Sequence, residues 1–175
     1  HIHLEFSGNT TTLKYGNFYS WLNSVIKHRE DLISKANTKL ILSKLSKMKR
    51  TGTTTIGAIS SYSFDLDACV KSPLNKVFFC EVIGTKGDMI DTLFADFKDR
   101  LNIAKKYKSA NFIPAIAIHS PYSVHPFLVR ETLKLAREEN LPVTSHFLES
   151  REEFEWLHKD EGAFVEFFKN FLGQE

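Results

Sequence analysis

Three histidines and one glutamate are the residues best suited to chemistry in this sequence. His1 and His3 are one residue apart in an alternating stretch, so in a strand both imidazoles would point to the same face. Two imidazoles presented together suit a Zn²⁺ or Fe²⁺ ion. His146 offers a third imidazole, and Glu149 is placed to carry protons at the same point. The alternatives are solvated or tag-derived histidines at the start, and a first-turn acid favoured by the helix dipole at Glu149.

The elements that must position these residues alternate between strands and helices. Five strands are predicted from β-rich or apolar runs at residues 1–7, 53–60, 76–83, 112–119 and 142–146. Helical patterns cover residues 17–48, 88–107, 126–140, a segment from 150 onward, and 164–172. Strands that alternate with helices imply a parallel sheet with right-handed crossovers. The sequence therefore predicts an α/β fold with five parallel strands and flanking helices, in one domain over residues 1–175.

The polar candidates cluster at one end of the predicted sheet. His119, His146 and Glu149 lie at or just after the C-terminal ends of predicted strands. This is the end at which (β/α)8 barrels carry their active sites. Ser150 and Glu153 have the Ser-x-x-Glu spacing of a capping box, which predicts a helix start directly after Glu149.

Composition limits the partners that the chain is expected to have. The 23 basic and 21 acidic residues give a formal charge of +2, and no basic tract is interleaved with aromatic residues, so we expect no nucleic acid. No apolar run approaches the ~20 residues of a membrane span, so we expect no membrane association. Cys69 and Cys80 lie in apolar contexts without metal-ligand spacing, which favours buried thiols and a cytoplasmic location.

Three motifs carry a resemblance to a known family. They are His-x-His on the first predicted strand, His119-Ser120-Pro121-Tyr122-Ser123 after the fourth, and His146-x-x-Glu149 after the fifth. In this order, they make the whole chain resemble the amidohydrolase superfamily, in the branch of cytosine deaminase, S-adenosylhomocysteine deaminase and the atrazine chlorohydrolase-like enzymes. The resemblance implies the N-terminal part of a (β/α)8 TIM barrel. A complete member has eight strands, with a further metal-site histidine after the sixth and an aspartate on the eighth.

The resemblance also implies roles for the four residues named first. His1, His3 and His146 would be ligands of one divalent metal ion, zinc or iron. Glu149 would be the catalytic proton shuttle of a hydrolytic deamination. With only the first five strands, the chain by itself is expected to bind metal weakly or not at all, to turn over little, and to associate with another copy through its open sheet edges.

Substrate contacts are implied at three further positions. His119 matches a position that contacts the substrate or the developing charge. Trp21 and Glu30 resemble the aromatic and acidic positions with which adenosine-type deaminases hold base and ribose. Trp21 also fits the apolar stripe of its helix, and Glu30 also fits a solvated helix face.

The first motif and the segment after it indicate a subgroup. His-x-His-Leu-Glu-Phe-Ser, followed by Thr-Thr-Leu-Lys-Tyr-Gly, is most similar to the aminofutalosine deaminases of bacterial menaquinone biosynthesis. These enzymes convert 6-amino-6-deoxyfutalosine to futalosine and ammonia, so the resemblance implies a nucleoside-like substrate. The alternatives are deamination of S-adenosylhomocysteine or guanine, dechlorination of a triazine, and a non-catalytic structural half-barrel.

Overall fold

The computed structural model describes residues 1–10 and 12–168, and these form an α/β half-barrel. Four parallel strands lie side by side in chain order: β1 (Thr55–Ser60), β2 (Asn75–Val82), β3 (Phe112–Ile118) and β4 (Val143–Ser145). The helices of the described residues are α1 (Phe18–Lys35), α2 (Thr38–Arg50), α3 (Leu66–Lys71), α4 (Ile90–Lys105), α5 (Pro126–Glu138), α6 (Arg151–Lys159) and α7 (Ala163–Phe167). Part of the last predicted helix, including Phe171 and Leu172, lies outside the described residues.

The predicted first strand over residues 1–7 is wrong, so within the described residues the sheet has four strands rather than five. The segment makes a single parallel bridge to β1. The Ile2 N–H donates to the Gly57 carbonyl at 2.9 Å, and the Ile59 N–H donates to the Ile2 carbonyl at 2.9 Å. The chain then turns into a short 3₁₀ helix at Leu4–Phe6. Ile2 nevertheless lies beside β1, and β1 is the strand next to which the first segment was predicted to lie.

The buried carboxylate of Glu5 explains why the strand ends so early. Glu5 is 1% exposed. Its oxygens accept hydrogen bonds from the backbone N–H groups of Ser61 at 2.7 Å, Tyr62 at 2.9 Å and Phe64 at 3.2 Å. A buried carboxylate needs such donors, and an extended residue 5 would instead continue the ladder along β1. The 3₁₀ turn therefore directs Glu5 into the loop after β1.

The core lies between the sheet and the helices that cover it. As predicted, α4 packs on β2 and β3 with an amphipathic face, and its Phe97, Leu101 and Ala104 are buried. Cys69 and Cys80 are buried free thiols. Of the helices in the described ranges, none is long and apolar enough to cross a lipid bilayer.

Asp65 carries a marked pH dependence of stability. It is fully buried, and its Oδ1 accepts a hydrogen bond from the Ser60 hydroxyl at 2.6 Å. Its Oδ2 has no hydrogen-bond partner within the described part of the chain. Burial, with the nearby Glu5 carboxyl adding to it, raises the pKa of Asp65 from 3.8 to about 7. The folded protein therefore binds a proton that the unfolded chain releases between these two values.

We expect Asp65→Asn to remove part of the pH dependence of unfolding. The stability associated with the raised pKa of Asp65 is fully present below about pH 4 and is lost as the pH rises to about 7. The free energy of unfolding of Asp65→Asn minus that of the wild type should therefore increase between pH 4 and 7.5, by no more than about 4 kcal/mol. Urea unfolding of both proteins at several pH values in this range measures the difference in free energy. A difference that does not change with pH would contradict this account.

Candidate functional site

A cavity of about 510 Å³ lies at the carboxyl ends of the strands. Ser61 follows β1, and Glu81 is the penultimate residue of β2. His119 follows β3 and His146 follows β4. These residues line the cavity together with His3 and Glu149, and α1 supplies an apolar wall made of Trp21, Leu22, Val25 and Ile26. The volume falls in the range of small-molecule sites, about 300–1,000 Å³.

The structure brings the three predicted metal-ligand histidines together. His1 Nε2 lies 2.9 Å from His3 Nε2 and 3.0 Å from His146 Nε2. The bridge of Ile2 to β1 keeps His1 and His3 on one side of the segment. The backbone N–H of His146 donates to the His119 carbonyl at 2.9 Å, which extends the contact between β4 and β3 by one residue. Side chains 145 residues apart in sequence therefore converge on one point.

The tautomer of His146 follows from its second contact. His146 Nδ1 lies 2.8 Å from the His119 carbonyl oxygen. Because a carbonyl only accepts hydrogen bonds, Nδ1 carries the proton and Nε2 keeps its lone pair. Metal-binding histidines are commonly oriented by a hydrogen bond of this kind. The lone pair of His146 is thus on the side of the ring that faces His1.

The donor set fits a divalent metal ion. Nitrogens that share a tetrahedral zinc ion at 2.0–2.1 Å lie about 3.3 Å from each other, close to the separations seen between His1, His3 and His146. Burial, followed by the charge of His146, lowers the pKa of His3 to about 4. His3 is therefore neutral at pH 7, which is the form that binds metal ions.

Glu149 is held at the cavity by a tyrosine to which the sequence analysis gave no role. The Tyr122 hydroxyl donates to Glu149 Oε1 at 2.6 Å. Tyr122 is 4% exposed and packs on the Phe164 ring, with the ring centroids 4.8 Å apart. Burial, and then the Glu149 carboxylate, raise the pKa of Tyr122, so the hydroxyl stays protonated and remains a donor. The tyrosine in the His-Ser-Pro-Tyr-Ser motif was the available signal.

The turn between β4 and α6 fixes the backbone of Glu149. Ser150 caps α6 as predicted, because its hydroxyl oxygen accepts a hydrogen bond from the Glu153 N–H at 3.1 Å. The Glu153 carboxylate bonds to the Glu149 N–H at 2.9 Å, rather than to that of the cap residue as in a standard capping box. Leu148 has a left-handed φ of 53°, a strained conformation that often accompanies functional sites. The cap and the turn together present the Glu149 side chain to the cavity.

We expect Tyr122→Phe to reduce turnover without loss of the fold. The variant removes the one hydroxyl that holds Glu149 Oε1, and hydrogen bonds to a charged acceptor contribute about 1.5–3 kcal/mol. The predicted effect is a decrease of about tenfold to a hundredfold in kcat, with a small change in KM. Steady-state turnover of its substrate by the full-length protein measures both constants. Wild-type kcat in this variant would show that Tyr122 does not position the carboxylate.

His119 and Trp21 lie where substrate contacts were predicted, since both line the cavity. His119 Nδ1 is 2.5 Å from the Ser123 hydroxyl and 3.0 Å from that of Ser120. Burial, then the charges of His146 and His3, lower the pKa of His119 to about 3, so its ring is neutral at pH 7. The roles of His119 and Trp21 toward a substrate remain predictions.

Two predicted site residues do not line the cavity: His1, which nevertheless contacts His3 and His146, and the exposed Glu30. The Glu30 side chain is 86% exposed and pairs with Arg29 at 2.9 Å. Arg29 lines the cavity instead, and its guanidinium lies 5.6 Å from the centroid of the Tyr62 ring. The position implied for an acid is thus taken by the preceding residue of α1, and the contact of Glu30 with a substrate stays a prediction.

Glu81 is a site residue that sequence reasoning missed. It is 1% exposed, and the Ser61 hydroxyl donates to its Oε2 at 2.5 Å. Burial raises the pKa of Glu81 to about 7. It lies within the run Lys-Val-Phe-Phe-Cys-Glu-Val-Ile, whose apolar residues indicated only a buried strand. The available signal was an acid near the carboxyl end of such a strand.

Comparison with known sequences decides the family. The profile of the amidohydrolase family matches residues 1–174. This chain belongs to the amidohydrolase family. The family consists of hydrolases that act on carbon–nitrogen bonds, so the family and the enzyme class predicted from the three motifs are confirmed.

Individual relatives of the family agree with this assignment. An aminodeoxyfutalosine deaminase from a Nitratiruptor species is 49% identical over 174 residues, which are 99% of this chain and 43% of that protein. An adenosine deaminase from Helicobacter pylori is 32% identical over 174 residues, or 98% of this chain and 41% of that protein. The chain therefore spans about two-fifths of the length of the curated relatives that it matches.

A solved structure of the family has the same fold over the whole chain. Helicobacter pylori aminofutalosine deaminase, crystallised in complex with methylthio-coformycin, matches with a TM-score of 0.89 and 29% sequence identity. The match covers 100% of this chain and 42% of that one. The half-barrel thus corresponds to part of an amidohydrolase barrel, which confirms the predicted class of fold.

Proposed function

We propose that the full-length protein is a metal-dependent hydrolytic deaminase of an adenine-type nucleoside, and that it converts 6-amino-6-deoxyfutalosine and water to futalosine and ammonia. The observation that carries the proposal is the convergence of His1, His3 and His146 at a cavity that His3, His146 and Glu149 line. The 49% identity to an aminodeoxyfutalosine deaminase supports the choice of substrate. Residues 1–175 would then be one domain, the N-terminal part of the barrel.

The three histidines would hold one divalent ion, zinc or iron, through neutral imidazole nitrogens. An ion held there would supply a bound water molecule with its pKa lowered toward about 7. The hydrogen bond of His146 Nδ1 to the His119 carbonyl fixes which nitrogen of that ring faces the ion. His3 is half-buried and neutral, so no proton must leave this residue before metal binds.

Glu149 is the group that moves protons. Its Oε1 accepts a hydrogen bond from the Tyr122 hydroxyl. The other oxygen, Oε2, is therefore the one that takes a proton from water. The same oxygen delivers this first proton to the ring nitrogen of the base. It then takes the second proton of the water and delivers that one to the amino group, which departs as ammonia. Net, water adds one oxygen to the ring carbon, the carbon–nitrogen bond breaks, and both protons of water leave the water oxygen.

The walls of the cavity suit an aromatic base. Trp21, with the apolar side chains next to it on α1, forms a face against which a heterocycle can stack. His119 is neutral and held by two serine hydroxyls, so it approaches the reacting ring without adding a positive charge. Glu30 would contact the sugar only if its side chain turned from solvent.

A panel of substrates tests the proposal. The metal-loaded full-length protein should release ammonia from 6-amino-6-deoxyfutalosine with a higher kcat/KM than from adenosine, S-adenosylhomocysteine or guanine. Adenosine belongs in the panel because the Helicobacter pylori relative at 32% identity is an adenosine deaminase. Chloride release from a chlorotriazine tests the remaining reaction of the branch. A protein that binds no metal and acts on no member of the panel would be the non-catalytic half-barrel instead.

The 175-residue chain by itself is expected to bind metal weakly, to turn over little and to self-associate. Apolar side chains are exposed along β3, β4 and the segment after β4: Ile113 at 43%, Val143 at 41% and Phe147 at 64%. Exposed apolar sheet edges favour pairing with another copy. Light scattering at high concentration should therefore detect a dimer, and a clean monomer would count against it. The two buried free thiols suit the reducing cytoplasm.

A further inference from the structure

Glu81 is a second carboxyl group in the cavity, and the mechanism above gives it no task. The Ser61 hydroxyl bonds to its Oε2 at 2.5 Å. Its Oε1 is buried and has no hydrogen-bond partner in the described ranges 1–10 and 12–168. Buried polar atoms in folded proteins almost always have a partner, so an unpaired oxygen in a cavity wall is available to accept a hydrogen bond from a bound ligand.

The position of Glu81 shows where this ligand would lie. A carboxylate oxygen of Glu81 and ring nitrogens of His119 and His146 all lie within 4.8 Å of one another. Glu81 and both histidines line the same cavity. A donor bonded to Glu81 would therefore be close to the point at which the metal-binding histidines meet.

A second metal ion does not account for the unpaired oxygen. Glu81, His119 and His146 could hold an ion by distance alone. However, the Nδ1 proton of His146 is given to the His119 carbonyl, and its Nε2 is the nitrogen that faces His1. One imidazole nitrogen has one lone pair, so an ion held with His1 and His3 leaves His146 nothing to give to another. A donor group of the substrate is the ligand that remains to be considered for Glu81.

The chemistry of an adenine-type base identifies the donor. The ring nitrogens of a neutral adenine edge accept hydrogen bonds, and its exocyclic amino group donates them. This amino group is bonded to the carbon that is attacked, so it must lie near the metal-binding histidines. We propose that Glu81 Oε1 accepts a hydrogen bond from the amino group that the reaction expels. The inference rests on the proposed deaminase function and adds a specificity-determining contact to it.

This contact would serve both orientation and product release. Before reaction, it turns the amino group toward Glu81 and the opposite face of the ring carbon toward the water. After reaction, an oxygen that accepts hydrogen bonds replaces the donor, and the product faces an oxygen that it cannot satisfy. Glu81 therefore favours a leaving group with N–H bonds and disfavours the product that lacks them.

The test compares two leaving groups in the full-length, metal-loaded protein. The substrates are 6-amino-6-deoxyfutalosine and its 6-chloro counterpart, whose leaving chloride has no N–H group. Glu81→Met is close in size to the wild-type residue and cannot accept the bond, and Glu81→Leu is a second apolar variant in case the first does not fold. Glu81→Gln keeps an acceptor oxygen. Glu131→Gln, on α5 and paired with Arg130 outside the cavity, is the control.

We expect Glu81→Met to lower kcat/KM for the amino substrate at least about 100-fold and for the chloro substrate less than about threefold. Glu81→Gln should stay within about tenfold of wild type on both substrates, and Glu131→Gln should match wild type. Bound metal, measured in every variant, should be unchanged. Equal losses on both substrates would overturn the inference, since that is the result of a structural role. Undiminished deamination by Glu81→Met would also overturn it, whereas a wild type inactive on both substrates overturns the proposed function as well.

Discussion

In the full-length protein, Glu149→Gln should lower kcat for ammonia release by about 10²–10⁴-fold and leave the bound metal unchanged. The amide has nearly the shape of the carboxylate, and its oxygen can still accept the hydrogen bond from the Tyr122 hydroxyl. It cannot take a proton from water at neutral pH, so proton transfer to the ring nitrogen is lost. Steady-state ammonia release and elemental analysis of the same preparation measure the two quantities together.

Glu138→Gln is the matched control for this experiment. Glu138 ends α5, is exposed to solvent and does not line the cavity, so the control changes one carboxylate to an amide without touching the site. It should have wild-type kcat and metal content. If Glu149→Gln turned over as fast as this control, Glu149 would not be the proton shuttle.

In the full-length protein, His146→Asn should abolish metal binding at stoichiometric loading. The substitution removes one of three imidazoles and also the hydrogen bond that orients it on the His119 carbonyl. Loss of an orienting partner alone reduces metal affinity about 10–100-fold in metalloenzymes, and loss of the ligand itself should exceed that. Metal per chain, measured after equilibration with one equivalent of zinc or iron, should fall close to zero, and ammonia release should fall with it.

A histidine outside the cluster provides the comparison. His28 lies on α1 and does not line the cavity that contains the cluster, so His28→Asn should bind as much metal as the wild type. Equal metal content in His146→Asn and His28→Asn would mean that the three converging imidazoles are not the metal site.

Local signals in the sequence located much of the site, because strand ends and helix starts are local features. His146 and Glu149 fall between an apolar run and the Ser-x-x-Glu spacing of a helix cap, and the structure places both at the cavity beyond β4. His119 was found in the same way, at the end of β3. The ends of neighbouring parallel strands meet at one edge, so three local patterns were enough to predict a common site.

The features that the sequence did not predict depend on contacts between segments that are distant in the chain. The first segment leaves the sheet because Glu5 bonds to backbone groups of residues 61–64, which no pattern within residues 1–7 reveals. Glu81 looked like one polar residue in a buried strand until Ser61 and the histidines were placed around it. Whether Arg29 or Glu30 faces the cavity depends on the rotation of α1 about its axis, since adjacent residues on a helix point about 100° apart.

The measurement that tests the central claim most directly is ammonia release from 6-amino-6-deoxyfutalosine by the full-length protein before and after removal of its metal. We predict about one zinc or iron ion per chain in the loaded protein, rapid ammonia release, loss of that activity after chelation, and recovery when the ion is returned. Ammonia release that continues undiminished in the metal-free protein, or a metal-loaded protein that releases none, would contradict the proposal that the full-length protein is a metal-dependent deaminase.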